Sequence, residues 1–132
     1  MTGHRIRLRG GWEWRDPETG RSARITLPGP LPTENHSRME LVRSFVKPPL
    51  DAASEALWLD LRRVAGIQSV RLNDQEIARP ADGLSALLLP LENARESRNV
   101  LVLELQTRSA GEPLADDSLW GEIALVIATL EG

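Results

Sequence analysis

The sequence predicts an all-β protein built as a two-sheet antiparallel sandwich. Apolar residues recur at every second position in short runs, clusters of Pro, Gly, Asn and Asp separate the runs, and helical periodicity is scarce. Such alternation is typical of strands that bury one face against a core. The chain has 132 residues, the size of one domain. We therefore expect a single sandwich domain over residues 1–132.

The strands can be placed in order along the chain. The predicted strands cover residues 5–9, continuing through 12–14 if no bulge intervenes, and then 21–27, 39–46, 55–61, 66–72, 75–78, 84–91, 99–106 and 119–130. Asn73 and Asp74 predict a tight hairpin, since Asn tolerates the positive φ of a two-residue turn. The proline-rich residues 27–32 predict a crossing loop. Short helical pieces are expected only at 51–55 and 91–96.

In three of the predicted strands, the sequence also indicates which residues lie on the face that points away from the core. The leucines of residues 55–61 share one face, which places Trp58 on the opposite face. Residues 86–89 and 123–128 are apolar at both parities, so each of these strands needs a cover on its second side. That cover is either a loop of the same chain, with residues 27–32 preferred, or a second subunit.

Composition excludes several functional classes. Sixteen basic and nineteen acidic residues give a net charge of −3, whereas a dedicated nucleic-acid binder usually has a strong basic excess. Cysteine is absent, which excludes disulfides, thiolate metal sites and cysteine nucleophiles. No stretch approaches the roughly 18 apolar residues of a membrane helix, and the first residues contain no apolar signal region. We expect a cytoplasmic protein without nucleic-acid or membrane partners.

The order of short motifs along most of the chain resembles a known family. The matching segments are 8–12 (LRGGW), 41–45 (LVRSF), 57–61 (LWLDL), 64–66 (VAG), 70–73 (VRLN), 99–103 (NVLVL) and 119–123 (LWGEI). In these segments the chain resembles the N-terminal sugar-binding domain of family-two glycoside hydrolases, of the β-galactosidase and β-glucuronidase type. That domain is a jelly roll of the galactose-binding-domain-like fold. Asp74 departs from the pattern, because the family usually has glycine there.

The resemblance implies a scaffold without an active site. In those hydrolases the catalytic carboxylates lie on a separate barrel domain, for which 132 residues leave no room. We therefore expect no enzymatic activity and a role in non-catalytic recognition. The first ligand class is carbohydrate, with the chain as an accessory domain to a carbohydrate-active enzyme. The alternative is a protein partner or a homodimer formed through the Trp58 face or the final strand.

The candidate saccharide-binding residues are Trp14, Asp16, Asn35 and His36. Carbohydrate sites pair an indole face with hydrogen-bonding groups at the rim. Trp14 stands next to a polar loop that contains Asp16, and Asn35 and His36 lie in a second loop. Trp12 and Trp14 share a face, however, which favours the core for both. If all four indoles are buried, the carbohydrate hypothesis loses its main support.

No spacing points to catalysis or to a transition-metal site. The acidic pairs and histidines in question are Glu13 with Asp16, Asp116 with Asp117, and the isolated His4 and His36. We expect the pairs to be solvated loop charges, and the histidines lie in no triad or zinc motif. The resemblance admits a structural calcium ion, for which Asp51, Asp82 and Glu13 are possible ligands. No cofactor is predicted.

The first strand carries a row of basic side chains. Arg5, Arg7 and Arg9 alternate with Ile6 and Leu8. Such a row could meet a phosphate or an acidic partner. We expect it to be the solvated face of an edge strand, where charge discourages pairing with another sheet.

Overall fold

The computed structural model describes residues 3–29, 38–51, 53–64, 66–80, 86–106 and 120–129. The ten strands within these ranges are β1 Gly3–Arg7, β2 Trp12–Arg15, β3 Ser22–Ile25, β4 Arg38–Val46, β5 Glu55–Arg62, β6 Ile67–Leu72, β7 Gln75–Ala78, β8 Ala86–Pro90, β9 Arg98–Gln106 and β10 Glu122–Thr129. No described residue is helical, and so none belongs to a helix that could cross a membrane. The two short helical pieces are wrong in the described residues, where 53–54 and 92–93 form turns.

The strands form two antiparallel sheets, which confirms the predicted fold class. One sheet has four strands in the order β1-β10-β5-β8, and the other has six in the order β3-β2-β4-β9-β6-β7. Strand β1 lies at the edge of its sheet, as expected for the arginine row. Strand β10 is paired on one side with β1 and on the other with β5. The final strand therefore has no free edge for another chain to pair with.

The first predicted strand does not continue into Trp12. Strand β1 belongs to the four-stranded sheet and β2 to the six-stranded sheet, so the chain crosses between them at Gly10 and Gly11. Gly11 has φ of +79°, and a Cβ there would lie 3.4 Å from Nε of Arg43. That Nε donates a hydrogen bond of 2.6 Å to the Gly10 carbonyl. Burial lowers the pKa of Arg43, although an arginine remains charged at physiological pH. A left-handed glycine and one arginine thus hold the crossing.

The core between the sheets consists of leucines and other aliphatic residues together with Met39, Phe45 and three indoles. Leu57, Leu59 and Leu61 are buried on the inner face of β5, which leaves Trp58 on the outer face as predicted. The three buried indoles and their exposures are Trp12 at 1%, Trp14 at 5% and Trp120 at 1%. The indole nitrogen of Trp12 donates to the Leu8 carbonyl at 2.7 Å.

The outer face of the four-stranded sheet carries a charge cluster. Asp60 is buried to 8% exposure although it lies on this face, and its Oδ2 pairs with Arg5 Nη1. The same oxygen lies 3.1 Å from Nε of Arg62. Nη2 of Arg5 lies 3.8 Å from a carboxylate oxygen of Glu122. Arg5 is therefore neutralised by carboxylates of its own sheet.

The hairpin between β6 and β7 is a two-residue turn, as the sequence predicts. Asn73 and Asp74 have φ of 52° and 68°, so both adopt the left-handed conformation of a primed turn. Asn73 also ties this turn to β9, because its side chain accepts from Val100 N at 2.8 Å and donates to Asn99 Oδ1 at 3.0 Å. Asp74 thus occupies the position of the family's glycine with the backbone conformation that glycine favours.

Asn99 is fully buried and every polar atom of its side chain is hydrogen-bonded. Its Oδ1 accepts from Arg95 N at 2.7 Å, and its Nδ2 donates to the carbonyls of Arg95 at 3.0 Å and Ser97 at 3.3 Å. The side chain therefore replaces the missing backbone partners of the turn before β9.

Replacing Asn99 by alanine should lower the free energy of unfolding by about 2–4 kcal/mol, because several buried polar groups lose their partners at once. Urea unfolding measures this value. Ser97→Ala is the control, since this side chain is exposed and contributes no described bond; we expect a change within about 0.5 kcal/mol. Equal stability of the two variants would contradict a structural role for Asn99.

Candidate functional site

Two of the four predicted saccharide-binding residues, Trp14 and Asp16, lie within the described residues. Trp14 is 5% exposed and lies opposite Leu41 in the core face of the six-stranded sheet. Asp16 is also 5% exposed. Its carboxylate accepts from Glu18 N and from Thr19 Oγ1, each at 2.9 Å, and so closes the turn that follows β2. A ligand role for these two side chains stays a prediction, and their burial does not support it.

The other two predicted residues, Asn35 and His36, lie outside the described residues. The same is true of Asp82, Asp116 and Asp117. Saccharide binding by Asn35 and His36, calcium binding by Asp82 and the solvated acidic pair of Asp116 and Asp117 therefore stay predictions.

Asp16→Ala should lower the free energy of unfolding by about 1–2 kcal/mol, because the turn loses two side-chain hydrogen bonds. We expect no change in the affinity for any saccharide. Chemical unfolding and a ligand titration of the same variant measure both quantities. Unchanged stability together with lost affinity would restore Asp16 to a binding site.

Of the remaining catalytic and metal candidates, Glu13 and Asp51 form local contacts and His4 is exposed. Glu13 Oε1 lies 2.6 Å from Arg15 Nε, and this hydrogen bond raises the pKa of the arginine. Asp51 Oδ1 accepts from Ala53 N at 3.0 Å. His4 is exposed on the edge strand β1. Within the described ranges, no three His, Cys, Asp or Glu side chains are placed to hold a metal ion.

A cleft of about 450 Å³ lies against Trp58, near the start of β5. Its walls are formed by Lys47, Leu50, Glu55, Ala56, Leu57, Trp58, Pro90, Leu91 and Glu92. We call it the Trp58 cleft. Trp58 is half-buried, in register with Val126 on one side and Pro90 on the other. All four tryptophans lie within the described residues, and the other three are buried.

Backbone and side-chain hydrogen bonds fix the walls of the Trp58 cleft. Leu91 N donates to the carbonyl of Leu57 at 2.9 Å, which holds the segment after β8 against β5. Glu55 Oε1 accepts from Asp51 N at 2.7 Å. Lys47 Nζ lies 3.2 Å from a carboxylate oxygen of Glu96. The cleft thus combines an aromatic and aliphatic wall with a charged rim.

The sequence identified Trp58 as an outward-facing residue but missed the groups around it. Lys47 and Glu92 come from two loops that are far apart in the chain. Neither residue belongs to a motif. Only the pairing of β5 with β8 brings the second loop beside Trp58. Alternation alone could therefore have identified the indole, and nothing in the sequence pointed to its neighbours.

A second cleft, of about 520 Å³, lies near the other end of β5. Its walls are formed by Arg7, Arg9, Thr26, Leu27, Pro28, Arg63, Glu122 and Ile123. We call it the arginine cleft. It includes the described part of the predicted crossing loop, since Leu27 N donates to the Arg9 carbonyl at 2.8 Å.

Comparison with known proteins finds likeness in structure alone. No family model matches the sequence, and no curated protein matches it. A β-glucuronidase from Bifidobacterium dentium complexed with coumarin-3-O-glucuronide has a TM-score of 0.76 at 12% identity, over 98% of this chain and 31% of that one. The FMN-binding β-glucuronidase from Facaelibacterium prausnitzii L2-6 has a TM-score of 0.73 at 20% identity, over 96% and 22%. A β-glucuronidase of an uncultured Clostridium sp. has a TM-score of 0.72 at 17% identity, over 96% and 29%.

These matches cover nearly the whole of this chain but only 22–31% of the three β-glucuronidase chains. At such low identity they establish the fold. The chain therefore has the fold of one part of these β-glucuronidases, which confirms the predicted structural resemblance to a domain of proteins of this type.

Proposed function

We propose that the chain is a non-catalytic accessory domain of a carbohydrate-active enzyme, with residues 1–132 as one domain, and that it binds a saccharide in the Trp58 cleft. The observation that carries the proposal is the half-buried Trp58 indole on the wall of a cleft with a charged rim. An indole face packs on the C–H surface of a sugar ring, and rim groups bond its hydroxyls. The likeness to β-glucuronidases supports carbohydrate as the ligand class.

The dimensions and chemistry of the cleft suit a small saccharide. Its volume of about 450 Å³ lies within the usual range of ligand sites. Leu50, Pro90 and Leu91 extend the apolar wall, while Lys47 and Glu92 supply hydrogen-bonding groups. A sugar could therefore present one apolar face to the wall and its hydroxyls to the rim.

The two carboxylates of the cleft suit binding better than hydrolysis. A glycosidase needs two carboxyl groups that are free to face the scissile bond from opposite sides. Glu92 is exposed. Glu55 accepts a hydrogen bond from the backbone of Asp51 and braces the loop. These surroundings support recognition without catalysis.

Thermal unfolding against a panel of mono- and oligosaccharides, with and without calcium, tests the proposal. A sugar at about ten times its dissociation constant adds about 1.4 kcal/mol, which raises the midpoint by about 3–6 °C. We expect Trp58→Leu to abolish the shift, because leucine keeps an apolar side chain but removes the aromatic face. Trp58→Phe should retain part of it.

Leu88→Ala is the matched control, because Leu88 lies on the outer face of the same sheet but does not line the cleft. It should leave the sugar-induced shift unchanged. A flat panel at high millimolar sugar, or a shift that survives in Trp58→Leu, would contradict binding in this cleft.

Contact with another protein is the second candidate function, and it uses the same face. Leu88 is 49% exposed there, close to Trp58 along the pairing of β8 with β5. The strand edge of β10 cannot take part, because both of its sides are paired. A contact through β10 would therefore use the side chains of its outer face.

Sedimentation velocity of the wild type and of Leu88→Glu separates the two functions. Under the carbohydrate proposal, the wild type and Leu88→Glu sediment as the same species, because Leu88 then belongs to no interface between copies of the chain. A wild-type dimer that Leu88→Glu dissociates would establish the Trp58 face as an interface and overturn its assignment to sugar.

A further inference from the structure

The described walls of the arginine cleft carry more positive than negative charge. Arg7, Arg9 and Arg63 line it together with a single carboxylate, Glu122. None of the three arginines forms an ion pair with a carboxylate of the described residues. Glu122 in turn lies 3.8 Å from Arg5. Its charge is thus shared with a guanidinium outside the cleft.

This positive charge contrasts with the net charge of the chain, which is −3. Arg7 and Arg9 come from the first strand and the residues after it, whereas Arg63 follows β5. All three side chains are exposed. Like charges repel one another, so three guanidinium groups that have no carboxylate partner among the described residues favour a bound anion at this cleft.

The backbone of the cleft is fixed before any ligand binds. Four segments meet there, joined by the hydrogen bonds Leu8 N to Ile123 O at 2.9 Å, Leu27 N to Arg9 O at 2.8 Å, Gly121 N to Arg63 O at 2.8 Å and Gly29 N to Trp120 O at 3.0 Å. Gly121 has φ of +87°, and a Cβ there would lie 3.1 Å from Leu27 Cδ1. Leu27 and Ile123 are buried and form the floor. A preformed wall of this kind lowers the ordering cost of binding.

We propose that the arginine cleft binds a small ligand through a phosphate or carboxylate group. The guanidinium fork matches both oxyanions with paired, charge-assisted hydrogen bonds. Leu27, Pro28 and Ile123 provide an apolar surface for the body of the ligand. This site is separate from the Trp58 cleft and does not depend on saccharide binding there.

Isothermal titration calorimetry at roughly 20 mM salt tests the site, since low ionic strength leaves charge contacts unscreened. The probes are glucose 6-phosphate, glucuronate, inorganic phosphate and, as the neutral control, glucose. We expect glucose 6-phosphate or glucuronate to bind in the wild type. Inorganic phosphate binding identifies the phosphate group as the determinant, whereas a response to glucuronate alone identifies the carboxylate.

The double variant Arg7→Gln/Arg9→Gln should weaken binding about tenfold or more. Arg63→Asn should also weaken it, and asparagine tolerates the φ of 55° at that position. Arg95→Gln/Arg98→Gln is the control, because it removes the same two charges from exposed positions outside the cleft. Trp58→Leu should leave the affinity unchanged, so failure of this site is distinguishable from failure of the Trp58 cleft.

Three results would overturn the site. One is the absence of heat with every anionic probe, and another is equal binding of glucose. The third is equal weakening by the cleft and control double variants, which would mean that net charge alone attracts the anion.

Discussion

Burial of two leucine rows between the sheets is the constraint on which the rest of the structure depends. Leu57, Leu59 and Leu61 on β5 and the three leucines of β9 at 101, 103 and 105 belong to one buried cluster. Each fully buried leucine contributes about 1.5–3 kcal/mol. A slip of one residue in strand register would move either row of leucines from the core face to the solvent-facing side of its sheet. The pairing of these strands is therefore fixed by their side chains.

That constraint decides which residues are available for function. With the leucines inward, alternation places Trp58 and Asp60 on the outer face of β5. The other three indoles fill the core, so Trp58 is the tryptophan that remains available to a ligand among the four, all of which are described. Asp60 in turn neutralises Arg5, whereas Arg7 and Arg9 have no carboxylate partner within the described part of the chain. Both clefts thus follow from the register of one sheet.

The fold could be predicted from the sequence because period-2 alternation and turn residues are local signals. The hairpin at Asn73 and Asp74 and the outward position of Trp58 follow from such signals. The sequence leaves open whether the first strand continues into Trp12, because only the sheet pairing shows that the chain crosses between sheets at Gly11. The choice of Trp14 as a sugar platform rested on its neighbouring polar loop. The position of Trp14 beside a polar loop in the sequence does not show that its ring faces the core.

The most direct measurement is a saccharide titration followed through the four indole N–H signals in ¹H–¹⁵N spectra. If a saccharide binds in the Trp58 cleft, the Trp58 signal will move to saturation while the signals of the three buried indoles stay in place. Movement of the Trp14 signal with an unmoved Trp58 signal would contradict binding in the Trp58 cleft and would place the saccharide at the turn after β2.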